Sequence, residues 1–265
     1  MSERVTLVMC LFNQLPLTRA CLETLRNTTE PFRLVVIDNG STDGTREFFQ
    51  RFDHPYPLRF VTSDSNTSVI ASLNRAWREV ETEFLCLLHN DTELLEPEWL
   101  SRLIAALQEP AVGLSGLFGA KRVRRNGRFV GRTIVHSLAE GPTVRPPWEE
   151  VAVIDAVCMC LSRELMESVG GLDEGYGFLH GYDKDLSFAV RETGRRCLVV
   201  YAPFHHRGGG TRTQAFARDP AGAQRDIALR KFAADRFLAK FGRRLPCDVR
   251  SGPERVKDWL TAKFL

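Results

Sequence analysis

The fold is decided by the stretch Glu83-Phe-Leu-Cys-Leu-Leu-His-Asn-Asp-Thr-Glu93, in which a short apolar run ends abruptly at polar residues. Such a run is typical of a β-strand buried on both faces, as in a parallel sheet covered by helices. Open α/β sheets bind ligands just beyond the carboxyl ends of their strands, which is where His89, Asn90 and Asp91 would lie. Asn, Asp and Thr also form ordinary turns, so this stretch alone favours a core strand followed by a capped turn. The role of the polar residues therefore depends on the rest of the chain.

Strand and helix patterns alternate along the first part of the chain. Apolar runs rich in Val, Leu and Ile predict strands at residues 4–12, 32–37, 58–62 and 84–88. Apolar residues at helical spacing predict helices at residues 15–25, 46–52, 68–80 and 97–107. This alternation predicts right-handed βαβ units and an α/β fold with a mostly parallel sheet flanked by helices.

The composition is that of a soluble globular protein. Of the 265 residues, 43% are hydrophobic and 26% are charged, and the net charge of +3 gives no reason to expect a nucleic-acid partner. No apolar run reaches the roughly 18 to 20 residues that span a bilayer, and the N-terminus lacks a secretory pattern. We therefore expect a cytoplasmic location, with peripheral contact to a membrane surface left open.

The cysteine pattern points to reduced thiols. The chain has seven cysteines and no Cys-x-x-Cys pair, which argues against a zinc site built from thiolates. Cys10, Cys86, Cys158 and Cys160 lie inside apolar stretches, as is typical of buried free cysteines.

The second half of the chain is less regular. An apolar run predicts a strand at residues 151–161, followed by a short helix at 162–169 and a Gly-rich mobile loop at 173–180. Helical patterns return at residues 219–240 and 254–265. Residues 120–136 are basic and have strand character, and Asn126-Gly127 suits a hairpin turn. Two interpretations of this hairpin stay open: a charged, solvated sheet edge, or a patch that binds an anionic acceptor or a membrane surface.

Six separated segments occur in the order and spacing of a known family. They are residues 5–13 (Val-Thr-Leu-Val-Met-Cys-Leu-Phe-Asn), 35–45 (Val-Val-Ile-Asp-Asn-Gly-Ser-Thr-Asp-Gly-Thr), 87–94 (Leu-Leu-His-Asn-Asp-Thr-Glu-Leu), 169–174, 181–186 and 205–211. Together they resemble the family 2 glycosyltransferases, which are inverting nucleotide-sugar enzymes of GT-A fold. The resemblance implies a GT-A domain at residues 1–215, with residues 216–265 as a helical extension packed on it.

The resemblance also implies a metal site. The family's Asp-x-Asp motif falls on His89-Asn90-Asp91, so Asp91 matches the carboxylate that contacts the metal, and His206 matches a further ligand. The expected cofactor is a divalent cation, Mn²⁺ or Mg²⁺, since both take carboxylate oxygens and manganese also accepts imidazole. His89 stands at an acidic position of the family. Either His89 approaches the nucleotide or the metal itself, or metal binding is weaker than in relatives.

The resemblance implies a pocket for the nucleotide sugar and a catalytic base. Asp38 and Asn39 match residues that hold the base and ribose of the donor. The other expected donor contacts are Leu11, Asn13, Asn66, Asn74, His89 and Asn90. Asp183, at the start of a predicted helix, matches the base that takes the acceptor proton, whereas Asp185 is assigned to helix capping. Tyr182 and Trp148 are expected acceptor contacts, although Trp148 also suits a place in the core.

The implied function is transfer of a hexosyl or deoxyhexosyl group from a nucleotide sugar to a hydroxyl of a glycan or lipid-linked acceptor, with inversion. Two alternatives belong to other classes. One is a non-catalytic relative that binds a nucleotide sugar, which is favoured by His89 and Tyr182. The other is a sugar nucleotidylyltransferase, whose Gly-rich basic loop after the first strand is not matched by Phe12-Asn13-Gln14-Leu15-Pro16.

Overall fold

A computed structural model of the chain describes residues 3–129, 133–137, 141–142, 146–208 and 220–263. The strands are β1 (Val5–Leu11), β2 (Phe32–Asp38), β3 (Leu58–Thr62), β4 (Phe84–Leu88), β5 (Thr92–Leu94), β6 (Val112–Gly116), β7 (Phe118–Ala120), β8 (Arg122–Val123), β9 (Thr133–Ser137), β10 (Gly141–Pro142), β11 (Trp148–Val151), β12 (Val153–Ile154), β13 (Cys158–Ser162), β14 (Arg196–Val200), β15 (Phe204–His206) and β16 (Cys247–Asp248). The helices are α1 (Leu15–Leu25), α2 (Thr45–Arg51), α3 (Val69–Trp77), α4 (Trp99–Leu107), α5 (Arg163–Ser168), α6 (Tyr182–Glu192), α7 (Pro220–Phe241) and α8 (Gly252–Lys263). Single 3₁₀ turns lie at Glu174–Tyr176 and Gly242–Arg244.

The main sheet has eight strands in the order β11-β14-β6-β13-β4-β1-β2-β3. The four strands β4, β1, β2 and β3 run parallel, as do β14 and β6, whereas β13 and β11 run antiparallel to their neighbours. Leu11 pairs with Asp38 and Asp38 pairs with Thr62, so the carboxyl ends of β1, β2 and β3 are level. The predicted α/β architecture with a mostly parallel sheet is confirmed.

Alternating side chains of the central strands enter two hydrophobic clusters on opposite faces of the sheet. Leu7 and Met9 pack into the cluster that contains α1 and α4, while Val8 between them packs into the cluster with α3 and α6. All five residues of β4 are buried, as expected for a strand covered on both faces. Each such buried aliphatic side chain contributes about 1.5 to 3 kcal/mol, so the sheet forms a stiff platform for the polar residues at its edge.

A second sheet lies where β4 ends. Its order is β12-β7-β9-β15-β5, with β10 paired to β9. The antiparallel pairing of β15 with β5 sets His206 opposite Thr92, next to Asp91. This pairing brings together two segments that are more than a hundred residues apart in sequence.

The predicted continuous strand at residues 151–161 is wrong. Val151 ends β11 in the main sheet, Val153 and Ile154 pair with β7 in the second sheet, and β13 then returns to the main sheet. The chain changes sheets around Asp155, whose Oδ1 accepts a hydrogen bond of 3.0 Å from the Val157 amide. The strand segments on both sides of the break are buried, whereas Asp155 and Ala156 at the break are partly exposed.

The basic hairpin is short. Val123 forms a bridge with Phe129, and the Arg124 and Gly127 amides close the turn with hydrogen bonds of 2.9 Å to Arg128 O and Arg124 O. The predicted turn at Asn126-Gly127 is present, whereas residues 130–132 of the predicted hairpin lie outside the described residues.

The helix α7 packs across α6 and the loop that precedes it. Phe237 contacts Phe188 of α6 with ring centroids 5.0 Å apart. Arg236 Nη2 donates to Asp173 at 2.8 Å, and His180 Nε2 lies 2.8 Å from Asp226 Oδ1. The loop at residues 173–180, predicted to be mobile, is therefore fastened to α7 at both ends.

The C-terminal helix α8 is tied to the sheets through a buried charge. Lys121 is 3% exposed and lies 3.2 Å from Glu149 and close to Glu254 of α8. Residues 209–219, which contain the predicted boundary of the extension, lie outside the described residues. Within the described part of the chain, no helix is both long and apolar enough to cross a membrane.

Candidate active site

Three potential metal ligands converge at the carboxyl end of β4. Atoms of His89, Asp91 and His206 lie within 4.8 Å of one another. His206 Nε2 is 3.2 Å and His89 Nδ1 is 3.9 Å from Asp91 Oδ1. The Arg207 amide donates a 3.0 Å hydrogen bond to Asp91 O, which fixes β15 against this turn. The polar end of the deciding stretch is thus part of a three-residue cluster.

The cluster is electrostatically suited to a cation. Asp91 Oδ1 is buried and makes no well-aligned hydrogen bond to any described residue. Burial raises the pKa of Asp91, but the neighbouring His206 and His89 outweigh it and hold that pKa below its ordinary value. Burial lowers the pKa of His206, yet the Asp91 carboxylate raises it overall. Desolvation lowers the pKa of His89, so this imidazole is neutral at pH 7 and can donate a lone pair.

The three potential ligand atoms indicate which cation the site would hold. One carboxylate oxygen and two imidazole nitrogens match Mn²⁺, which accepts both atom types, better than Mg²⁺, which prefers oxygen ligands alone. Asp91 Oδ1, which is buried and whose contact with His206 is poorly aligned, is an atom that a cation would satisfy. The residues present therefore fit a divalent transition metal.

Asp38 offers a second unpartnered oxygen at the end of β2. The residue is fully buried, its Oδ1 accepts a 2.9 Å hydrogen bond from the Ser41 amide, and its Oδ2 has no hydrogen-bond partner among the described residues. Gly40 has φ +85°, and a Cβ there would meet the backbone of Ser65 at 2.8 Å. Glycine is therefore required at this position for the tight turn that follows Asp38.

Asn39 and Asn66 shape the adjacent loop rather than offer open groups. Asn39 is fully buried, and its Nδ2 donates to Asn66 Oδ1 at 3.0 Å and to Thr67 O at 2.7 Å. Its Oδ1 accepts hydrogen bonds from Thr67 Oγ1 at 2.9 Å and Ser72 Oγ at 3.1 Å. All polar atoms of the Asn39 side chain are used within the protein, so its role is to hold residues 66–67 beside Asp38.

Leu11 and Asn13 join the loops after β1 and β2. Leu11 O accepts a 2.8 Å hydrogen bond from the Asn39 amide. Asn13 has φ 56°, its amide donates to Ser41 Oγ at 2.7 Å, and its Oδ1 accepts from the Thr42 amide at 2.8 Å. These contacts hold the loops after β1 and β2 together, and donor binding by Leu11 and Asn13 stays a prediction.

Two predicted donor contacts have other partners. Asn74 is 1% exposed. Its Nδ2 donates hydrogen bonds to Leu172 O and Glu174 Oε1, and its Oδ1 accepts hydrogen bonds from Trp77 Nε1 and the Leu172 amide, all at 2.7 to 3.0 Å. Asn74 therefore anchors the loop after α5 through both ends of its side-chain amide, and its role as a donor contact stays a prediction. Asn90 is at the predicted edge, but its Nδ2 donates to Thr18 Oγ1 at 2.9 Å and so fastens the turn to α1.

The first turn of α6 brings Asp183 to the same edge. Tyr182 is buried, and its hydroxyl lies 3.5 Å from His89 Nε2, which connects this turn to the metal cluster. Asp183 Oδ1 accepts a 2.8 Å hydrogen bond from the Lys184 amide. Burial raises the pKa of Asp183 above its ordinary value despite the nearby Lys184 cation. A carboxylate with a raised pKa is a stronger base than an ordinary one.

Asp185 does not cap this helix. The N-cap residue of α6 is Gly181, which has no side chain, and Asp185 accepts hydrogen bonds of 2.7 and 2.9 Å from Lys240 of α7. The capping prediction failed because the partner comes from a distant helix.

Asp155 is a member of the site that the sequence did not reveal. The Ile154 amide donates to Ser187 Oγ at 3.0 Å, and Ser187 Oγ donates to the Asp183 carbonyl at 2.8 Å. This chain of hydrogen bonds holds Asp155 beside the first turn of α6. Burial, followed by the Asp183 carboxylate, raises the pKa of Asp155 to about 6. No local motif marks this residue, because it lies in the break between two strands.

Replacing Asp155 by Asn is expected to stabilise the metal-free protein at pH 8. The folded pKa of about 6 exceeds the ordinary value of 3.8, so folding favours the protonated carboxyl. Stability from this group is present below pH 4 and is lost as pH rises through 6. Asn keeps the oxygen that accepts from Val157, and we expect a gain of about 1 to 3 kcal/mol at pH 8 that shrinks toward pH 4.

Urea unfolding of both proteins across this pH range measures the gain. Asp43→Asn is the matched control with the opposite sign. Burial raises the pKa of Asp43, but hydrogen bonds from Thr45 and Leu15 lower it overall, so this variant should lose stability at pH 8. A pH-independent difference between Asp155→Asn and the wild type would contradict the assignment.

Trp148 lies far from this cluster along the sheet. It begins β11 and pairs with Val200, at the same edge as the site but four strands from β4. Four strand spacings of about 4.8 Å correspond to about 19 Å. Its ring packs against the hydrophobic cluster of α1 and α4, so the alternative of a core position describes it better than acceptor contact.

The predicted residues that the structure brings to one edge form a continuous set. They are Leu11, Asn13, Asp38, Asn39, Asn66, His89, Asn90, Asp91, Tyr182, Asp183 and His206.

Comparisons with known proteins identify relatives of this chain. The O-antigen biosynthesis protein RfbC of Myxococcus xanthus is 28% identical over 232 residues, which cover 81% of this chain and 18% of that protein. An uncharacterized protein of Sinorhizobium fredii is 28% identical over 222 residues, which cover 74% of this chain and 24% of that protein. The chain thus spans about a quarter or less of the length of these relatives.

Solved structures share the fold. The mannosyltransferase PcManGT from Pyrobaculum calidifontis, in complex with GDP-Man and Mn²⁺, has a TM-score of 0.58 at 18% identity, covering 98% of this chain and 80% of that one. S. aureus TarS in complex with UDP-GlcNAc has a TM-score of 0.57 at 18% identity, covering 76% of this chain and 58% of that one. The predicted GT-A fold is confirmed. Because the model of glycosyl transferase family 2 matches residues 6–169, the chain belongs to that family.

Proposed function

We propose that the protein is an inverting glycosyltransferase that moves a hexosyl or deoxyhexosyl group from a nucleotide sugar to a hydroxyl of a glycan or lipid-linked saccharide. The observation that carries this proposal is the 3.5 Å contact between Tyr182 and His89. This contact joins the cluster of potential metal ligands to the helix turn that bears Asp183. The departing diphosphate and the acceptor hydroxyl would therefore be bound next to each other.

The donor's nucleoside would bind beside Asp38. Its free Oδ2 can accept a hydrogen bond from a ribose hydroxyl or a base N–H. Asn39 and Asn66 hold the loop that closes this pocket, and Leu11 and Asn13 form its wall. These residues would orient the donor so that its diphosphate points toward the end of β4.

Asp91 and His206 would hold a divalent cation, with His89 as a third ligand. When bound, Mn²⁺ neutralises charge that develops on the departing diphosphate. Asn90 keeps the turn in place through Thr18, and the Arg207 amide keeps β15 in register with it.

Asp183 would act as the general base. Its carboxylate takes the proton of the acceptor hydroxyl while that oxygen attacks the anomeric carbon. The bond to the diphosphate breaks on the opposite face, which inverts the configuration. Tyr182 positions the base segment against His89, and the Asp155 carboxyl lies within electrostatic reach of both Asp183 and His206.

The relatives suggest where to look for substrates. GDP-Man and UDP-GlcNAc are the donors bound to the two solved neighbours, and the RfbC relative is named for O-antigen biosynthesis. A cell-surface polysaccharide precursor, made at the cytoplasmic side of a membrane, is therefore the first acceptor class to test.

A screen of nucleotide sugars for Mn²⁺-dependent hydrolysis, followed by NMR of the transfer product, tests the proposal. We expect one or a few donors to be hydrolysed, and the product to have the anomeric configuration opposite to that of the donor. A product with the donor's configuration would refute inversion.

A non-catalytic, nucleotide-sugar-binding relative is the second candidate, favoured by His89 at a position that is acidic in the family. Donor binding measured by calorimetry without hydrolysis or transfer of any donor would support this second candidate instead.

A further inference from the structure

Three arginines lie close together in sequence on the basic turn. Arg124, Arg125 and Arg128 are exposed, and none forms an ion pair with any residue that the structure describes. Their neighbours in the same basic stretch differ, because Lys121 pairs with Glu149 and Arg122 lies 3.9 Å from Asp248. The three unpaired charges are therefore confined to the tip of the turn.

The turn is not an open sheet edge that needs charges to prevent aggregation. Val123 is paired on one side with Cys247 of β16 and on the other with Phe129. The ring of Phe237 in α7 is 3.4 Å from the position of a Cβ on Gly127. Since both sides are covered, edge protection does not account for three arginines at the tip.

The turn lies against the segment that carries the proposed base. Lys184 Nζ donates to Gly127 O at 3.4 Å and lies 4.6 Å from the centroid of the Phe129 ring. Lys184 is the residue after Asp183, in the first turn of α6. The turn that carries the three arginines therefore lies against the first turn of α6, one residue from Asp183.

We infer that this turn binds a phosphate or diphosphate group of the acceptor. Guanidinium groups bind phosphate oxygens bidentately, and Lys184 and the positive N-terminus of α6 add to the same field. The donor's diphosphate has its own binding groups at the metal cluster. The inference rests on the proposed function, and it names the acceptor as a sugar whose reactive hydroxyl lies close to a phosphate, either lipid-linked or on a glycan.

Matched acceptors test the inference. Transfer from the best donor of the screen is measured to octyl glycosides and to the same sugars as octyl glycosyl diphosphates and as free sugar phosphates. The variant Arg124→Gln/Arg125→Gln/Arg128→Gln should raise the KM for phosphorylated acceptors about tenfold to a hundredfold. It should leave transfer to neutral acceptors and donor hydrolysis within about twofold of the wild type.

Two control variants distinguish loss of phosphate binding from misfolding and from the loss of three positive charges anywhere on the surface. Arg51→Gln/Arg75→Gln/Arg225→Gln removes three arginines that are equally exposed and equally without ion pairs among the described residues, and it should change no KM. The triple Arg→Lys variant of the turn should recover part of the affinity. Equal thermal midpoints show that each variant is folded.

The measurements distinguish lipid-linked acceptors from other phosphorylated acceptors, and both from simple membrane binding. An effect on octyl diphosphates alone assigns the turn to lipid-linked acceptors, whereas an equal effect on free sugar phosphates assigns it to the phosphate itself. An unchanged KM for all phosphorylated acceptors overturns the inference, and so does an equal loss with neutral acceptors. If the variant instead loses only sedimentation with phosphatidylglycerol vesicles, the turn is a membrane contact and the inference is overturned.

Failure of the proposed function is distinguishable from failure of this inference. If the wild type hydrolyses no donor, calorimetric binding of the octyl diphosphates to the wild type and the two triple glutamine variants still tests the turn. Selective loss of binding in the turn variant would support it, and equal binding by all three proteins would overturn it.

Discussion

Replacing Asp183 by Asn is expected to lower kcat for transfer by about 10²- to 10⁴-fold while the affinity for the donor stays unchanged. Asn has nearly the same shape and can still accept the 2.8 Å hydrogen bond from the Lys184 amide, so the first turn of α6 should keep its structure. What is lost is the carboxylate whose pKa burial raises, and with it the acceptor of the hydroxyl proton. Initial rates at saturating donor and acceptor give kcat, and calorimetry gives the donor Kd.

Asp185→Asn is the matched control for this prediction. It removes a carboxylate two residues further along the same helix, but one that is bound by Lys240. Burial raises the pKa of Asp185 above its ordinary value despite Lys240, so this change should not lower stability at neutral pH, and it should leave kcat within a few-fold of the wild type. Turnover near the wild-type rate in Asp183→Asn would show that another group, such as Asp155, takes the proton.

Removal of the cation is the second large effect. Excess EDTA is expected to abolish transfer and Mn²⁺ to restore it, because Asp91 and both imidazoles are arranged around one position. Asp91→Ala and His206→Ala should each weaken Mn²⁺ binding by about tenfold or more, since even indirect ligand contacts carry effects of that size. Calorimetry with Mn²⁺ alone measures this loss without any need for activity.

A stability measurement accompanies the binding experiment. A cation that binds the folded chain alone adds about 2.7 kcal/mol at a concentration 100-fold above its Kd, so Mn²⁺ should raise the thermal midpoint of the wild type. Asp91→Ala should lose that rise. His205→Ala is the control, because neighbouring residues of a strand point to opposite faces, so His205 should not be a ligand. Activity that is unaffected by excess chelator would remove the metal from the mechanism.

Much of the fold follows from local pattern. The predicted bounds of α1, β3 and β4 agree with the structure, because each element is a run of one periodicity between clear breaks. The strand predicted at residues 151–161 is wrong because this run lacks a clear break in its apolar pattern. Residues 151–154 are all buried, so the periodicity cannot reveal that Val151 and Val153 belong to different sheets.

Within the site, residues at strand ends could be predicted and residues that depend on distant partners could not. Asp38 and Asp91 follow apolar runs, and parallel topology places such residues at one edge. Asn74 and Asp185 carry the same polar chemistry, but Leu172 and Lys240, both far along the chain, take up their polar atoms. Asp155 was missed because its proximity to Asp183 depends on the packing of a strand break against α6.

The sequence by itself determined the α/β class, the family and the cluster of candidate ligands at His89-Asn90-Asp91, since these depend on periodicity and on motif order. The tertiary structure alone decided that His206 lies 3.2 Å from Asp91, that Asp155 stands beside Asp183, and that the basic turn packs against Lys184, the residue after Asp183. The physical reason is that pKa values, metal geometry and charge pairing are set by neighbours in space, and those neighbours come from segments that no local pattern connects.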